Sequence, residues 1–430
     1  MEQERIIHAA LLGAGTVGGG VFKLVKELEE DIIKKTGARL VVDKILVRNK
    51  KKEREGIPRD LLTDDWKEIL EDDKIEIVIE VMGGIEPALT WLQEALRSGK
   101  QIVTANKDLL AEHGEALFAA AEEGNCDLHF EAAVAGAIPI IRPLKQSLAA
   151  SQLTEVMGIV NGTTNYILTK MAEEGMEYDE ALALATRLGY AESDPAADVE
   201  GYDAGRKLAI MASIAFNSRV TFSQVYTEGI TKITAEDIRY AEEFGYVIKL
   251  IAMTRLSEDG IEVKVHPMLL PDQHPLAAVR DSFNAVFVHG KACDDAMFMG
   301  RGAGEMPTAS AVLGDVIDVM RNILHHSCGK IGCGCYNHLP VKPIEETRSR
   351  FFLRIQVTDK PGALANIAGI LGNNDVSIAQ VVQKKSRHGV AELVIITDSV
   401  RERHFNDAIR ILEGMSVIRE VSGIIRVYGS

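Results

Sequence analysis

The period of the hydrophobic positions changes several times along the chain. Ile6 to Leu12 is an apolar run that flows into Gly13-Ala-Gly-Thr-Val-Gly18. Apolar residues then recur at Val21, Leu24, Val25 and Leu28. The first pattern predicts a buried strand and the second an amphipathic helix. Strand-like runs follow at Leu40 to Val47, Lys74 to Val81 and Gln101 to Lys107, with another opening at Asp127. Residues 1–137 therefore alternate strand and helix, as a doubly wound parallel sheet requires. From Ile138 the pattern shifts. Val156 to Val160 reads as a strand before the polar cluster Asn161-Gly-Thr-Thr-Asn165 and a helix from Tyr166. Ile261 to Val265 and Asn284 to His289 alternate with period two, which fits an α+β domain over 138–304. The helical run Ala309 to Leu324 is expected to return to the first domain, within 305–325. After a linker at 326–347, residues 348–430 give strand, helix, two strands, helix, strand. The strands are Arg348–Val357, Val376–Gln383, Val390–Thr397 and Ser416–Val427, with a helix after the first and another over Arg403–Leu412. That βαββαβ order predicts a ferredoxin-like antiparallel sheet with helices on one face. The fold class is α/β in three folded parts.

The glycine run lies between a predicted strand and a helix, the context that a dinucleotide-binding loop requires. Gly13 permits the tight turn, Gly15 lets the backbone approach a pyrophosphate, and Gly18 allows close helix–strand packing. The phosphates would rest on the free N–H groups of the helix start, at Thr16 and Val17. The second strand ends in Arg48, Lys50, Lys51 and Lys52, with Asp43 too early to hold a ribose. An acid at that end selects NAD, whereas a cation accommodates the 2′-phosphate of NADP. NADP(H) is favoured and NAD is not excluded; the competing reading is a solvated basic loop. Gln101 to Lys107 should deliver Thr104, Asn106 and Lys107 to the edge where the cofactor binds.

The densest chemistry lies between Gly189 and Leu208, where Glu192, Asp194, Asp198, Glu200 and Asp203 precede Lys207. At about 100° per residue, Asp203 and Lys207 fall one turn apart, in the sector of Ile210, Met211 and Ile214. The apolar stripe of a helix faces the core, so the pair should point inward. A lysine held there beside a carboxylate is a tunable acid or base. The alternative is an ordinary ion pair on a wet face. The hydroxyls and amides of 161–165 either line a polar pocket or form a turn in which Thr164 caps the helix.

Composition narrows the classes. The chain has 430 residues, 46% of them hydrophobic, with 48 basic and 63 acidic residues and a net charge of −15. That balance argues against nucleic acid or an anionic membrane as a partner, though a local basic patch can still take phosphate. No apolar run of spanning length occurs. Met1-Glu-Gln-Glu-Arg5 lacks the features of a signal peptide, so a cytoplasmic location is expected.

Together these motifs resemble the homoserine dehydrogenase family. The resemblance runs from Gly13–Gly18 through Thr104-Ala-Asn-Lys107, Glu131-Ala-Ala-Val-Ala-Gly-Ala-Ile-Pro139, Asn161–Asn165 and Gly189–Lys207 to Gly302-Ala-Gly304 and Leu313-Gly-Asp315. It implies NAD(P)-dependent interconversion of L-homoserine and L-aspartate 4-semialdehyde, in the synthesis of threonine, methionine and isoleucine. It also implies that Lys207 is the proton donor to the carbonyl, with Asp203 as its partner acid. Glu192 would bind the substrate ammonium and Asp198 would be a further acid near the substrate. Lys107 would lie between cofactor and substrate, and Gly304 would touch the cofactor through its backbone. Main-chain carbonyls of Glu131, Val134, Gly136 and Ile138 would hold a sodium ion.

Residues 348–430, with Asp359-Lys-Pro-Gly362, resemble the ACT domain, a module that commonly binds amino acids and pairs with itself. The resemblance implies feedback regulation, most plausibly by L-threonine, and a homodimer or homotetramer; the alternative is a dimerisation element without a ligand. Residues 325–338, at the start of the linker, carry Cys328, Cys333, Cys335 and His325, His326, His338 within fourteen residues. These either ligate a soft metal or are free thiols in a glycine-rich connection. Cys126 and Cys293 read as packing residues. Two other functions compete: a non-enzymatic sensor of nucleotide and amino acid, and another NADP-linked amino-acid dehydrogenase.

Overall fold

The computed structural model describes residues 5–384 and 389–429. Met1 to Glu4, on which the signal-peptide argument bears, lie outside the described residues. The chain divides into two compact units. Unit 1 is Met1–Val156, Arg206–Gln224 and Asn284–Leu339; unit 2 is Met157–Gly205, Val225–Phe283 and Pro340–Ser430.

Unit 1 is built on six strands: β1 (Arg5–Leu12), β2 (Ala38–Leu46), β3 (Leu62–Thr63), β4 (Ile75–Glu80), β5 (Gln101–Thr104) and β6 (Leu128–His129). They form a parallel sheet in the order β3-β2-β1-β4-β5-β6. The order reverses between β1 and β4, which opens the crevice where ligands bind in such sheets. One core joins Ile7, Leu11, Ile77 and Ile79 of the sheet to Val21 and Phe22 of the helix Thr16–Glu27. Val312, Val316 and Val319 of the helix Glu305–Leu324 share it. That helix starts at Glu305, earlier than its apolar pattern suggests, because Gly304, at φ +128°, is its N-cap. Strand β5 stops at Thr104. Asn106 accepts the Leu109 N–H at 3.1 Å and caps the helix Lys107–Glu123, so Lys107 opens a helix and does not end a strand.

In unit 2, β7 (Tyr246–Ser257) and β8 (Gly260–Pro271) pair antiparallel along their whole length. Only Ile261–Val265 was expected here. β8 alternates over Ile261–His266, whereas β7 is buried in one continuous run from Ile248 to Thr254, which removes the alternation that sequence reading depends on. The C-terminal part has β9 (Arg348–Thr358), β10 (Ile378–Gln383), β11 (Val390–Thr397) and β12 (Ile418–Val427). They run antiparallel in the order β12-β9-β11-β10. Phe351, Leu353 and Ile355 of β9 pack with Ile367 and Leu371 of one helix and Phe405 and Leu412 of the other. The end of β12 also pairs in parallel with β8, Met268 opposite Arg426 and Leu269 opposite Val427. The strand expected at Val156–Val160 runs Leu153–Ile159, and the next helix is Gly162–Glu174. Its cap is Asn161, whose side chain accepts the Thr164 N–H, and not Thr164. Among the described residues no helix is long and apolar enough to cross a membrane.

Candidate active site

In unit 1 the loop after β1 carries Gly13 at φ +102°, a left-handed conformation that disfavours side chains. A Cβ on Gly18 would overlap the Gly13 carbonyl oxygen, so the helix can approach the strand this closely only through glycine. A Cβ on Gly15 would meet nothing within 4 Å. Gly15 caps the helix Thr16–Glu27, whose first turn holds no acid, and Thr16 and Gly15 are exposed. The first N–H groups of this helix, from Thr16 onward, thus open a turn that carries no acid of its own, which suits a phosphate. Gly304 lies in the same unit, at the start of a helix packed on this one. A Cβ on Gly20 would come within 2.9 Å of Glu305 Cγ.

The facing loop after β4 is fixed by Glu80, which sequence reading passed over. Its carboxylate, 0% exposed, accepts the N–H groups of Met82 (2.7 Å) and Gly83 (3.1 Å) and the Thr104 hydroxyl. Burial pushes its pKa up against the pull of those hydrogen bonds. Asn106 donates to the Gly84 carbonyl at 2.6 Å. Three polar side chains at the strand ends therefore set both the glycine turn and the half-buried Lys107.

Arg48 and Lys50 follow β2 and are exposed. Lys50 pairs with Asp64 at 2.7 Å, whereas Arg48 has no ion pair among the described residues. Asp43, inside β2, is held by His8 at 2.6 Å. The sequence placed it too early to hold a ribose, and in the structure its carboxylate is already engaged.

The loop Glu131–Ile138 is nearly all buried, with Ala135 and Gly136 both at φ +56°. A Cβ on Gly136 would overlap the Gly302 carbonyl oxygen. The Glu131 carboxylate accepts the N–H groups of Ile140 (2.6 Å), Ile141 (2.7 Å) and Arg142 (2.9 Å), and burial raises its pKa. Asp315 accepts the Glu131 N–H and bonds Arg142, both at 2.7 Å. The side chain of Glu131 is thus committed to the fold. The buried carbonyls of Val134, Gly136 and Ile138 accept no hydrogen bond among the described residues. Buried carbonyls left in this way fit a hard cation.

In unit 2 the acids gather around Asn161. Its amide nitrogen donates to Asp198 at 2.7 Å and to Asp203 at 2.9 Å, while its oxygen caps the helix. One side chain of the polar cluster thus organises two predicted site residues. Asn165 does something else: it ties down the carbonyls of Val279, Asp281 and Phe283 and accepts from Lys249, a lysine that burial brings down to about 8. Glu192 is exposed, in the segment before the short helix Ala196–Val199, and is not drawn into the Asn161 cluster. Asp203 and Lys207 lie one turn apart on the helix Tyr202–Ala215, each 9% exposed. Leu208, Ala209, Met211 and Ala212 beside Lys207 are fully buried, so this helix is wrapped on most sides.

The cysteine-rich linker divides. Among the described residues no group of three or more His, Cys, Asp or Glu side chains could hold a metal ion, and all five cysteines are free. Cys328 lies near Asp127, and burial pushes it up to about 12. Cys333 accepts from Arg219 at 3.2 Å and is lowered to about 5, chiefly by its hydrogen bond with Cys335. Both border a cavity of about 440 Å³ with Phe118, Phe130 and Lys145. Cys126 is buried as expected; Cys293 is not, since it sits half-exposed in the turn after Gly290.

Residues 13–131 match the homoserine dehydrogenase NAD-binding domain, residues 139–317 the homoserine dehydrogenase domain, and residues 351–415 the ACT domain. The homoserine dehydrogenase of Bacillus subtilis is 42% identical over 429 residues, covering 99% of both chains. The chain belongs to the homoserine dehydrogenase family. The enzyme from Corynebacterium glutamicum is 45% identical, over 98% of this chain and 95% of that one. A crystal structure of homoserine dehydrogenase from Thiobacillus denitrificans superposes with a TM-score of 0.94 at 39% identity, over 100% of this chain and 99% of that one. A hyperthermophilic archaeal homoserine dehydrogenase in complex with NADPH matches at a TM-score of 0.62 and 26% identity, over 73% of this chain and 97% of its own. This homoserine dehydrogenase is thus an oxidoreductase with a nicotinamide-cofactor domain and a C-terminal ACT domain. Family membership sets aside the sensor and the other dehydrogenase.

Proposed function

We propose that this enzyme interconverts L-homoserine and L-aspartate 4-semialdehyde with NADP(H) in preference to NAD(H), and that L-threonine regulates it through the ACT domain. The observation that carries the chemistry is Lys207, buried to 9% exposure on the helix Tyr202–Ala215, with Asp203, equally buried, one turn before it. The nicotinamide supplies the hydride and takes it back. Lys207 holds a positive charge and a proton where negative charge grows on the carbonyl oxygen, the point at which a fixed donor is worth most. Asp203 and Asp198, bridged by Asn161, orient the hydroxyl end of the substrate. Glu192 binds its ammonium group, and Lys107 stands between substrate and cofactor. The N–H groups of Thr16, Val17 and Gly18 carry the pyrophosphate, Gly304 adds a backbone contact, and Arg48 with Lys50 reads the 2′-phosphate.

A sodium ion on the carbonyls of Glu131, Val134, Gly136 and Ile138 would brace the loop beside Gly302. The NADP preference is supported by the exposed Arg48 and by the absence of an acid from residues 47–52, directly after β2. We read the chain as a cofactor domain (1–137 with 305–325), a catalytic and dimerisation domain (138–304), a linker (326–347) and a regulatory domain (348–430). It would work in the cytoplasm as a homodimer or homotetramer, on the route to threonine, methionine and isoleucine.

The test is NADP reduction by L-homoserine, with Lys207→Ala beside the parent. Turnover should fall about 10²-fold or more while cofactor affinity stays within twofold, an expected margin for a lysine that does not carry the dinucleotide. A Lys207→Ala enzyme with parental turnover would remove this lysine from the chemistry.

A further inference from the structure

The cavity of about 440 Å³ in unit 1 takes no part in the chemistry above. Leu110, Gly114 and Phe118 of the helix that Lys107 opens line it, as do Ile210, Ser213 and Ile214 of the helix that carries Lys207. Residues 331–336 of the linker complete the lining and bring Cys333 and Cys335 to it. Two cations, Lys145 and Arg219, border the space, and no acid does. The Lys145 ammonium lies over the rings of Phe130 and Phe118, at 4.8 and 5.0 Å, and makes no hydrogen bond or ion pair among the described residues. The carboxylates that act on it, Glu131 and Asp315, are committed to main-chain N–H groups and to Arg142.

Cys333 differs from the other cysteines. Burial pushes the thiols of Cys126 and Cys328 up to about 11 and about 12, which leaves them inert near neutrality. Cys333 is brought down to about 5 instead, by the S–H and the main-chain N–H of Cys335 and by the charges of Arg219 and Lys145. Arg219 donates to its sulfur at 3.2 Å, and the buried Arg219 Nε has no partner among the described residues. Packing has no need of a thiolate, whereas attack on a disulfide does. Cys333 is also exposed, so a reagent can reach it. Cys335 keeps its proton because it gives it in a hydrogen bond to that thiolate. One glycine separates the pair, and residues two apart span at most about 7 Å, close to the Cα separation of about 4.4–6.8 Å that a disulfide takes.

We propose that Cys333 and Cys335 are a redox-active pair that reacts with low-molecular-weight disulfides bearing carboxylates. Lys145 and Arg219 attract the carboxylates. The Cys333 thiolate attacks one sulfur of the disulfide RSSR, the S–S bond breaks, and RS⁻ leaves with the electron pair. Cys335 gives its proton to that departing thiolate and attacks the Cys333 sulfur, releasing a second RS⁻. One small disulfide is reduced, and one Cys333–Cys335 disulfide forms. Oxidation removes the negative charge that holds Arg219, whose Nη1 lies 3.0 Å from where a Cβ on Gly114 would stand. It also removes the S–H that faces the Ser213 carbonyl at 3.8 Å. Gly114 and Ser213 belong to the helices bearing Lys107 and Lys207, which Asp108 and Arg206 join at 2.9 Å. The disulfide therefore loosens the setting of both lysines and lowers turnover.

The experiment treats the full-length protein with oxidised glutathione, which is anionic, or with cystamine, which is cationic. Peptide mapping follows the thiols while homoserine-dependent NADP reduction follows turnover. Oxidised glutathione should join Cys333 to Cys335 before Cys126, Cys293 or Cys328 reacts. Turnover should then fall about twofold or more, and dithiothreitol should restore both. Cys335→Ser should trap glutathione on Cys333 as a mixed disulfide. In Cys333→Ser neither product should form, and turnover should not respond to treatment. Lys145→Met should lower the ratio of the oxidised-glutathione rate to the cystamine rate about fivefold, the loss of one charge at close range. If Cys333 stays reduced while another cysteine reacts, or if Cys335→Ser traps no adduct, the redox pair is refuted. A disulfide that forms with turnover unchanged overturns the link to Lys107 and Lys207, and an unmoved rate ratio in Lys145→Met overturns the attraction for carboxylates.

Discussion

Asn161→Asp isolates the feature that organises the acidic half of the site. The substitution keeps size and shape, and aspartate caps a helix as well as asparagine does, so the bond from the Thr164 N–H survives. What changes is the amide nitrogen, which now donates to Asp198 at 2.7 Å and Asp203 at 2.9 Å. In its place stands a third carboxylate oxygen facing two others. A hydrogen bond to a charged group contributes about 1.5–3 kcal/mol, and the two lost here share a donor and so do not add fully. A loss of about 3 kcal/mol in transition-state positioning is therefore expected, or roughly 10²-fold in kcat/KM. Repulsion among three carboxylates should also raise their pKa values and move the acid limb of the pH–rate profile upward. The assay is homoserine-dependent NADP reduction across pH, with thermal unfolding to confirm that the helix is still capped. A variant within twofold of the parent, with an unmoved acid limb, would show that Asn161 does not position the acids for turnover.

Arg48→Ala should raise KM for NADP more than KM for NAD, and by more than Lys50→Ala does, because Lys50 is engaged with Asp64; equal effects on both cofactors would refute the 2′-phosphate role. Glu80→Gln tests a stability linkage. Burial raises the folded pKa of Glu80, so the native state binds more protons than the unfolded one, and stability falls as pH rises through that range. Since Met82 and Gly83 both donate to Oε1, glutamine can keep those bonds, and urea unfolding of the variant should depend less on pH; an unchanged dependence would contradict the linkage. Cys333, lowered to about 5, should react with iodoacetamide at a constant rate above pH 6 and more slowly near 5 and below, well ahead of Cys126 and Cys328. Peptide mapping that finds Cys328 alkylated first would refute that ordering.

What was legible in the sequence follows from how each element signals itself. The cofactor crevice was readable because its steric demands fall on residue type: Gly13 must take a positive φ and Gly18 must lack a side chain. The helix carrying Asp203 and Lys207 was readable because its polar pair fell in phase with an apolar stripe. The ACT order was readable because its short strands alternate and are separated by clear helical periods. β7 escaped because a strand buried on both faces has no period. Thr164 was weighed as a cap because both residue types cap helices, and only the backbone decides which of two neighbours is in the extended conformation; here it is Asn161, at φ −127° and ψ 116°.

The roles that sequence reading did not assign, those of Glu80, Asp315 and Asn161, share one physical trait: these residues act on backbone or on other side chains across long stretches of chain. Glu80 holds the Met82–Gly84 turn and meets Thr104 twenty-four residues on; nothing in a lone glutamate at the end of an apolar run marks that role. Asp315 fixes Glu131 from 184 residues away. Asn161 reaches Asp203 across 42. In each case the partner is a main-chain N–H, a hydroxyl or a carboxylate whose need for a donor or an acceptor appears only once it is buried. Burial is what turns such residues from tolerated polar positions into required ones. A side chain that reads as ordinary in the sequence but leaves no buried polar atom unpaired in the fold is therefore the place to look for positioning residues, and Asn161 is the sharpest instance here.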